Sequence, residues 1–183
     1  SGCDLALGDV DARGLSEVVS GVEALGRKAF AHRVDVARRD EVEAWAHEVK
    51  RRKGDASILV NNAGVGHYAR FDATSAADED RLLGVNLGGV MHGCRAFLPQ
   101  IARTRGHIVN VSSMAGTLAY PMQSHYCATK FAIRGFTAAL RGELAADGVG
   151  VTALLPGTIA TPFMTNATGN EAHRSWMAAR MAR

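Results

Sequence analysis

Ile58-Leu59-Val60-Asn61-Asn62-Ala63-Gly64 is the stretch that decides the fold. Three consecutive apolar residues give neither the alternation of a half-exposed strand nor the spacing of a helix face. A continuous apolar run suits a strand buried on both faces, as in parallel sheets covered by helices. The strand is read over 57–61, and the Asn-Asn-Ala-Gly that follows marks its carboxyl end.

The same alternation extends in both directions. Upstream, Leu5-Ala6-Leu7-Gly8-Asp9-Val10 reads as a short buried strand, and Leu15, Val18, Val19, Val22 and Leu25 make a helix face after it. A second strand is read over 29–34, ending in Asp35-Val36. Asp40 reads as the N-cap of a helix whose face carries Val42, Trp45, Ala46 and Val49. Downstream, a long helical segment runs from Ala76 to about Arg103, with Thr74 or Ser75 as its cap. It holds Gly84, Gly88, Gly89 and Gly93. Each interior glycine costs roughly 1 kcal/mol, so the segment is expected to pack closely on another backbone or to bend. His107 to Ser112 reads as a strand. Tyr126 to Asp147 reads as a helix with Ile133, Phe136, Leu140 and Leu144 on one face, and Gly148 ends it. Val149 to Leu155 is a last strand, stopped by Pro156-Gly157, with loop and a short helix beyond. Strands alternating with helices of this length imply right-handed crossovers and one doubly wound α/β domain.

Bulk properties exclude several classes. The 183 residues suffice for one domain with a sizeable core. No run of about eighteen apolar residues exists, so no transmembrane helix is expected. The net charge of +3 is small, and Lys50-Arg51-Arg52-Lys53 falls where a helix should end, so it reads as a solvated helix terminus rather than a nucleic-acid patch. The 3 cysteines, Cys3, Cys94 and Cys127, are far apart and form no CxxC pair. Neither a disulfide framework nor a zinc site is expected, and a reducing, cytoplasmic setting fits. The 7 histidines form no HExxH, so no metal centre is expected.

The chemistry concentrates between Ser112 and Lys130. Tyr126 and Lys130 stand at i and i+4 on one helix face. A nearby ammonium favours a phenolate and lowers its pKa. Alone, Tyr-x-x-x-Lys is weak evidence. Ser113, however, directly follows the strand ending near Ser112, and reacting groups of open α/β sheets sit at strand carboxyl ends. Asn62-Ala63-Gly64 would occupy the neighbouring carboxyl end, and Pro156-Gly157 lines up on the same rim. Asn86 is a poor helix former inside the glycine-rich helix, which points to an internal hydrogen bond or a functional role.

Taken together, Asn61-Asn62-Ala63-Gly64, Asn86, Val111-Ser112-Ser113, Tyr126-x-x-x-Lys130 and Pro156-Gly157-Thr158-Ile159-x-Thr161 resemble the short-chain dehydrogenase/reductase family. The resemblance runs from Asp9 to Phe163. It implies a single Rossmann-type NAD(P)-binding catalytic domain over 1–183, with 163–183 covering the substrate. It implies an NAD(P)-dependent short-chain alcohol dehydrogenase or carbonyl reductase. Tyr126 becomes the general acid/base, Ser113 orients the carbonyl, and Asn86 holds a relay water to Lys130. Lys130 lowers the tyrosine pKa and bonds the cofactor ribose. Asn62, Ala63 and Gly64 line the adenosine side and Asp35 and Val36 contact adenine. Pro156, Gly157, Ile159 and Thr161 face the nicotinamide. Asp9, ending the first strand, favours NAD(H) over NADP(H), since an acidic residue there accepts ribose hydroxyls and repels a 2′-phosphate. NADP(H) is not excluded, because Arg13 is positioned to meet a phosphate, and Asp9 or Asp11 capping the next helix is the plain alternative. The implied substrate is a small alcohol or carbonyl near Met114, Tyr120, Met122, Gln123, His125, Phe163 and Met164. No nucleic-acid or membrane partner is implied, and the assembly is a homotetramer or homodimer built on the helices from Ala76 and Tyr126. The alternative is a non-catalytic nucleotide-binding regulator or scaffold.

One departure stands out. No glycine-rich pyrophosphate loop precedes the first strand. In the doubly wound order a central strand should lie between those at Leu5 and Ile58. Its absence should leave a gap there, with unpaired backbone groups costing about 1–3 kcal/mol each. About thirty upstream residues, one βα unit, and a further strand after Arg183 are therefore expected.

Overall fold

The computed structural model describes residues 2–169 and 171. Strand β1 (Leu5–Asp9), helix α1 (Ala12–Ala24), β2 (Ala29–Arg33), α2 (Arg39–Lys53) and β3 (Ile58–Asn61) follow one another. Then come the short strand β4 (His67–Tyr68), α3 (Ala76–Leu82), α4 (Gly89–Thr104) and β5 (His107–Val111). Helix α5 (Ser124–Leu144), β6 (Gly150–Leu154) and the short strand β7 (Thr168–Gly169) complete the order. Among the described residues every strand pairing is parallel, as crossovers through helices require.

Strand β5 lies between β3 and β6, in a register that sets Leu59 opposite Ile108 and Ile108 opposite Val151. All three side chains are buried. Ile101 of α4 and Ile133 of α5 are fully buried in the same cluster, with Phe97 and Leu144. Each such side chain contributes on the order of 2 kcal/mol on burial. This core fixes α5 against the β5–β6 edge and so places the tyrosine-bearing turn at the strand ends.

Strands β1 and β2 form a separate two-stranded sheet. A groove of about 890 Å³ separates β1 from β3, lined among others by Ala6, Gly8, Trp45, Val60 and Phe97. The gap expected from strand order is thus present. It also corrects the reading of β3 as buried on both faces. Leu59 is buried, but Ile58 and Val60 are each 55% exposed and line the groove.

The glycine-rich segment is interrupted and closely packed, but against side chains rather than another backbone. Leu83–Gly88 is a π-helical turn between α3 and α4, the kind of interruption found at functional sites. At Gly89 a β-carbon would stand 2.7 Å from Val36 Cγ2, and at Gly93 it would collide with the Asn61 carboxamide. Ser75 caps α3 by accepting the Asp78 N–H. Asp40 does not cap α2. Arg38 holds the cap position, and Asp40 lies in the first turn, where it binds the Arg38 guanidinium and complements the helix dipole. Helix α5 begins at Ser124, two residues earlier than expected, and ends at Leu144; Gly148 turns the chain at φ 72°. Of the expected covering segment 163–183, residues 170 and 172–183 lie outside the described residues, as does the short helix expected there.

Candidate active site

The site begins where β5 meets α5. The Ser112 hydroxyl donates to the Lys130 carbonyl at 2.8 Å, tying the strand end to the helix. Gly116 then runs against α5: a β-carbon there would lie 2.7 Å from the Lys130 carbonyl oxygen, and Arg134 Nη1 donates to the Gly116 carbonyl at 2.8 Å. This close approach holds the Ser113 turn over the helix. Ser113 is extended, and its hydroxyl oxygen accepts the Ala115 N–H at 3.1 Å.

Tyr126 is 8% exposed and packs with Leu82, Ala115 and Cys127. Its ring lies 6.0 Å from that of Phe163. Lys130, one turn on, is 4% exposed; its ammonium donates to the Val111 carbonyl at 3.2 Å and stands 5.5 Å from the Tyr126 ring centre. The three expected groups therefore converge. Their electrostatics differ from expectation. Burial pushes the Tyr126 phenol above its ordinary value, and hydrogen bonding from Ser113 works against this. Burial also lowers Lys130, to about 8. Desolvation sets both directions, since burial penalises each charged form, and Lys130 does not pull the phenol down as expected.

Asn86 sits in the π turn and is fully buried. Its Oδ1 accepts the Val65 N–H at 2.8 Å, and its Nδ2 donates to the Val65 carbonyl at 3.0 Å and to Thr129 Oγ1 at 3.3 Å. The side chain thus pairs with the loop after β3 like an adjoining strand and fixes Gly64. A β-carbon on Gly64 would lie 3.3 Å from Asn86 Oδ1 and 3.6 Å from Lys130 Nζ.

A second group of expected residues gathers at the ends of β1 and β3. Asp9, Val36, Asn62 and Ala63 line one pocket of about 100 Å³ beside Gly8 and Gly89. The indole N–H of Trp45, which also lines it, is buried with no hydrogen-bond partner. Asp9 is exposed and accepts the Asp11 N–H at 3.0 Å, while Asp11 caps α1. The capping reading therefore belongs to Asp11. Arg13 pairs with Glu17 at 3.2 Å. Asp35 stands apart from the pocket lining: its carboxylate accepts the Ala37 N–H at 2.9 Å in a local turn. The Pro156 carbonyl accepts the Met114 N–H at 3.0 Å, bringing that loop to the Ser113 turn, and Gly157, Ile159 and Thr161 are exposed beside it.

On the substrate side, Met114 and Tyr120 are partly exposed, at 39% and 41%. His125 is taken up elsewhere, stacked on Phe71 at 5.1 Å and 3.7 Å from Glu79. Met164 is buried and accepts the Tyr68 hydroxyl at 2.9 Å through its sulfur. Met122 adopts a left-handed φ of 66°, costly for a residue with a side chain; its carbonyl accepts the Ala69 N–H at 3.0 Å. Sequence reading missed Gly116, Thr129, His67 and Tyr68. Only Gly116 carried a signal, a glycine three residues after Ser113. Gly116→Ala is expected to destabilise the fold by about 1–3 kcal/mol through overpacking, measurable by denaturant unfolding, because the Lys130 backbone as well as the Ser112 hydroxyl opposes the new carbon.

A family model for short chain dehydrogenases matches residues 1–172. SadH of Mycobacterium tuberculosis, a protein assigned as an oxidoreductase, is 45% identical over 167 residues, covering 90% of this chain and 60% of that protein. Mouse estradiol 17-beta-dehydrogenase 11 is 39% identical over 170 residues, covering 91% and 57% respectively. A short chain dehydrogenase/reductase from Burkholderia phymatum, solved with NAD, superposes at a TM-score of 0.89 with 30% identity, covering 98% of this chain and 69% of that one. An alcohol dehydrogenase from Thermococcus sibiricus, solved with 5-hydroxy-NADP, superposes at 0.85 with 28% identity, over 95% and 79%. The chain belongs to the short-chain dehydrogenase/reductase family. It spans about 60% of the length of these curated relatives.

Proposed function

We propose that this chain is the catalytic part of an NAD(H)-dependent alcohol dehydrogenase or carbonyl reductase. The reading rests on the buried Tyr126 phenol at the carboxyl end of β5, with Ser113 hydrogen bonding acting on it and the Lys130 ammonium 5.5 Å from its ring centre. The residues around the second pocket suit a dinucleotide: an exposed carboxylate, an apolar wall at Val36 and close backbone at Gly89. Asp9 would hold the ribose diol, Val36 the adenine, and Asn62, Ala63 and Gly64 the adenosine side. Lys130 would bond the second ribose, and Pro156, Gly157, Ile159 and Thr161 would flank the nicotinamide. When bound, such a cofactor supplies or accepts the hydride.

The protein's own part is to handle the proton and the charge. In reduction, Tyr126 donates its proton to the substrate oxygen, and Ser113 donates a hydrogen bond to the same atom as negative charge builds there. Lys130, while protonated, stabilises the phenolate left behind. Asn86 anchors the loop that carries Gly64 beside Lys130, and we assign it the water that returns a proton to Lys130. The carboxamide is already occupied by Val65 and Thr129, so its main-chain carbonyl in the π turn is the group that would hold the water. Asp35, whose carboxylate shapes the turn that presents Val36, would contact adenine beside it. A homodimer or homotetramer through α4 and α5, which leave Met91 and Phe131 more than 40% exposed, and a cytoplasmic setting for the three free cysteines complete the reading. Among the described residues, no helix is long and apolar enough to cross a membrane.

The test is to follow reduced-nicotinamide absorbance with a panel of alcohols and carbonyl compounds. Turnover is expected with NAD(H). Binding without turnover across the panel would favour a nucleotide-binding regulator instead. Asp9→Ser should raise the use of NADP(H) relative to NAD(H) by about tenfold, equivalent to about 1.4 kcal/mol, because it removes a carboxylate that repels the 2′-phosphate. Cofactor titrations of the parent and the variant measure this.

A further inference from the structure

We propose that His67 is a positioning residue that clamps the segment from Phe163 to Gly169 over Tyr126 and thereby sets substrate affinity. The clamp rests on the oxidoreductase reading only for its effect on substrate. His67 is 4% exposed, although it lies on a two-residue strand far from any core helix stripe. Its backbone pairs with Thr168, and Tyr68 pairs with Gly169. The imidazole adds a side-chain bond to the same partner. Thr168 Oγ1 donates to Asp78 Oδ1 at 3.2 Å and lies 2.9 Å from His67 Nδ1. The far ring nitrogen lies 3.1 Å from Thr74 Oγ1. One ring thus joins the β7 segment, the turn before α3, and α3 itself.

Burial keeps His67 in its neutral form by pushing its pKa down, and His125 and Arg81 push the same way; Asp78, 3.9 Å from Nδ1, opposes them. A neutral ring carries a single N–H, which serves one of the two threonine hydroxyls, Thr168 through Nδ1 or Thr74 through Nε2.

What the clamp holds is the wall of the site. The segment it fixes carries Phe163 against the Tyr126 ring and Met164 against the Tyr68 hydroxyl. The other side of His67–Ala69 is tied to the loop before α5, where Ala69 N–H donates to the strained Met122. Tyr126 therefore sits inside a belt closed by His67. A wall that touches ground state and transition state alike changes KM and leaves kcat alone.

Two substitutions separate the ring nitrogens. His67→Asn keeps a donor at the Nδ1 position, whereas His67→Gln reaches the Nε2 position and abandons Thr168. Thr168→Val removes the partner without touching the buried ring. Thr168→Val and His67→Gln should each raise KM for a turned-over alcohol about tenfold, with kcat and NAD(H) affinity within about twofold, and His67→Asn should stay near the parent. Amide exchange at Asn166 to Gly169 should accelerate at least about tenfold in the first two variants and not in the third. This second measurement needs no turnover. A parent with no turnover on any alcohol sinks the oxidoreductase reading, and amide exchange still decides the clamp. Unchanged exchange, or faster exchange with unchanged KM, overturns the proposal. So does a uniform loss of kcat, cofactor affinity and thermal stability in all three variants.

Discussion

Tyr126→Phe is expected to lower kcat by at least about 10²-fold, and by up to about 10⁴-fold, while leaving NAD(H) affinity within about twofold. The change removes one oxygen and keeps the ring against Leu82, Ala115 and Phe163, so the fold should shift by no more than about 1 kcal/mol. The lost rate is the worth of a positioned proton donor. Steady-state kinetics and cofactor fluorescence titration measure the two halves. Turnover that survives intact would move the acid elsewhere. The pH dependence follows from the raised phenol pKa. Reduction needs the protonated phenol, so its rate should stay level through neutral pH. Oxidation needs the phenolate, so its rate should climb as the solution becomes alkaline. An oxidation profile that stays flat toward about pH 10 would contradict the assignment.

Lys130→Met should abolish turnover and yet make the folded chain more stable near neutral pH. The parent ammonium is buried, and its pKa falls from 10.5 to about 8. At 1.36 kcal/mol per pH unit this is on the order of 3 kcal/mol of cost at neutral pH. Losing the charge-assisted bond to the Val111 carbonyl costs about 2 kcal/mol, which leaves a net gain on the order of 1 kcal/mol. Between about 8 and 10.5 the unfolded parent holds the proton that the folded parent has released. Unfolded chains then bind more protons, so parental stability rises with pH across that window; below about 8 the cost is present in full. The methionine variant has no such slope. Denaturant unfolding at about pH 7 and about pH 10 should therefore show the difference between variant and parent shrinking as pH rises. A variant less stable than the parent at neutral pH would mean that the ammonium is better solvated than its burial implies.

The alternation of strands and helices was legible because it repeats over short windows, and each βα unit advertises itself locally. Ser113, Tyr126 and Lys130 were legible for the same reason: a strand end and an i, i+4 pair are local geometry. The β4–β7 pairing was not. His67 and Thr168 are 101 residues apart, and a two-residue strand has no periodicity to read. The sign of the phenol's displacement was also out of reach, because it depends on how Leu82, Ala115 and Cys127 close around the ring. The four helix glycines predicted a bend or a close approach to backbone; Gly89 and Gly93 instead make room for the side chains of Val36 and Asn61. Asp40 misled because a good capping residue also suits the first turn, where the dipole favours it equally.

The π turn at Leu83–Gly88 has a consequence for how this gene can vary. Each residue of a regular helix advances the phase by about 100°. The turn holds back part of that advance, and with it Leu82 before the turn and Val90, Phe97 and Ile101 after it are all buried. Deleting one codon there would leave a regular helix with Val90, Phe97 and Ile101 in nearly the same phase as Leu82, and would remove the turn that carries Asn86 to Val65. A one-residue loss at this turn is therefore expected to spare the core and to cost the Asn86 bonds to Val65 and Thr129.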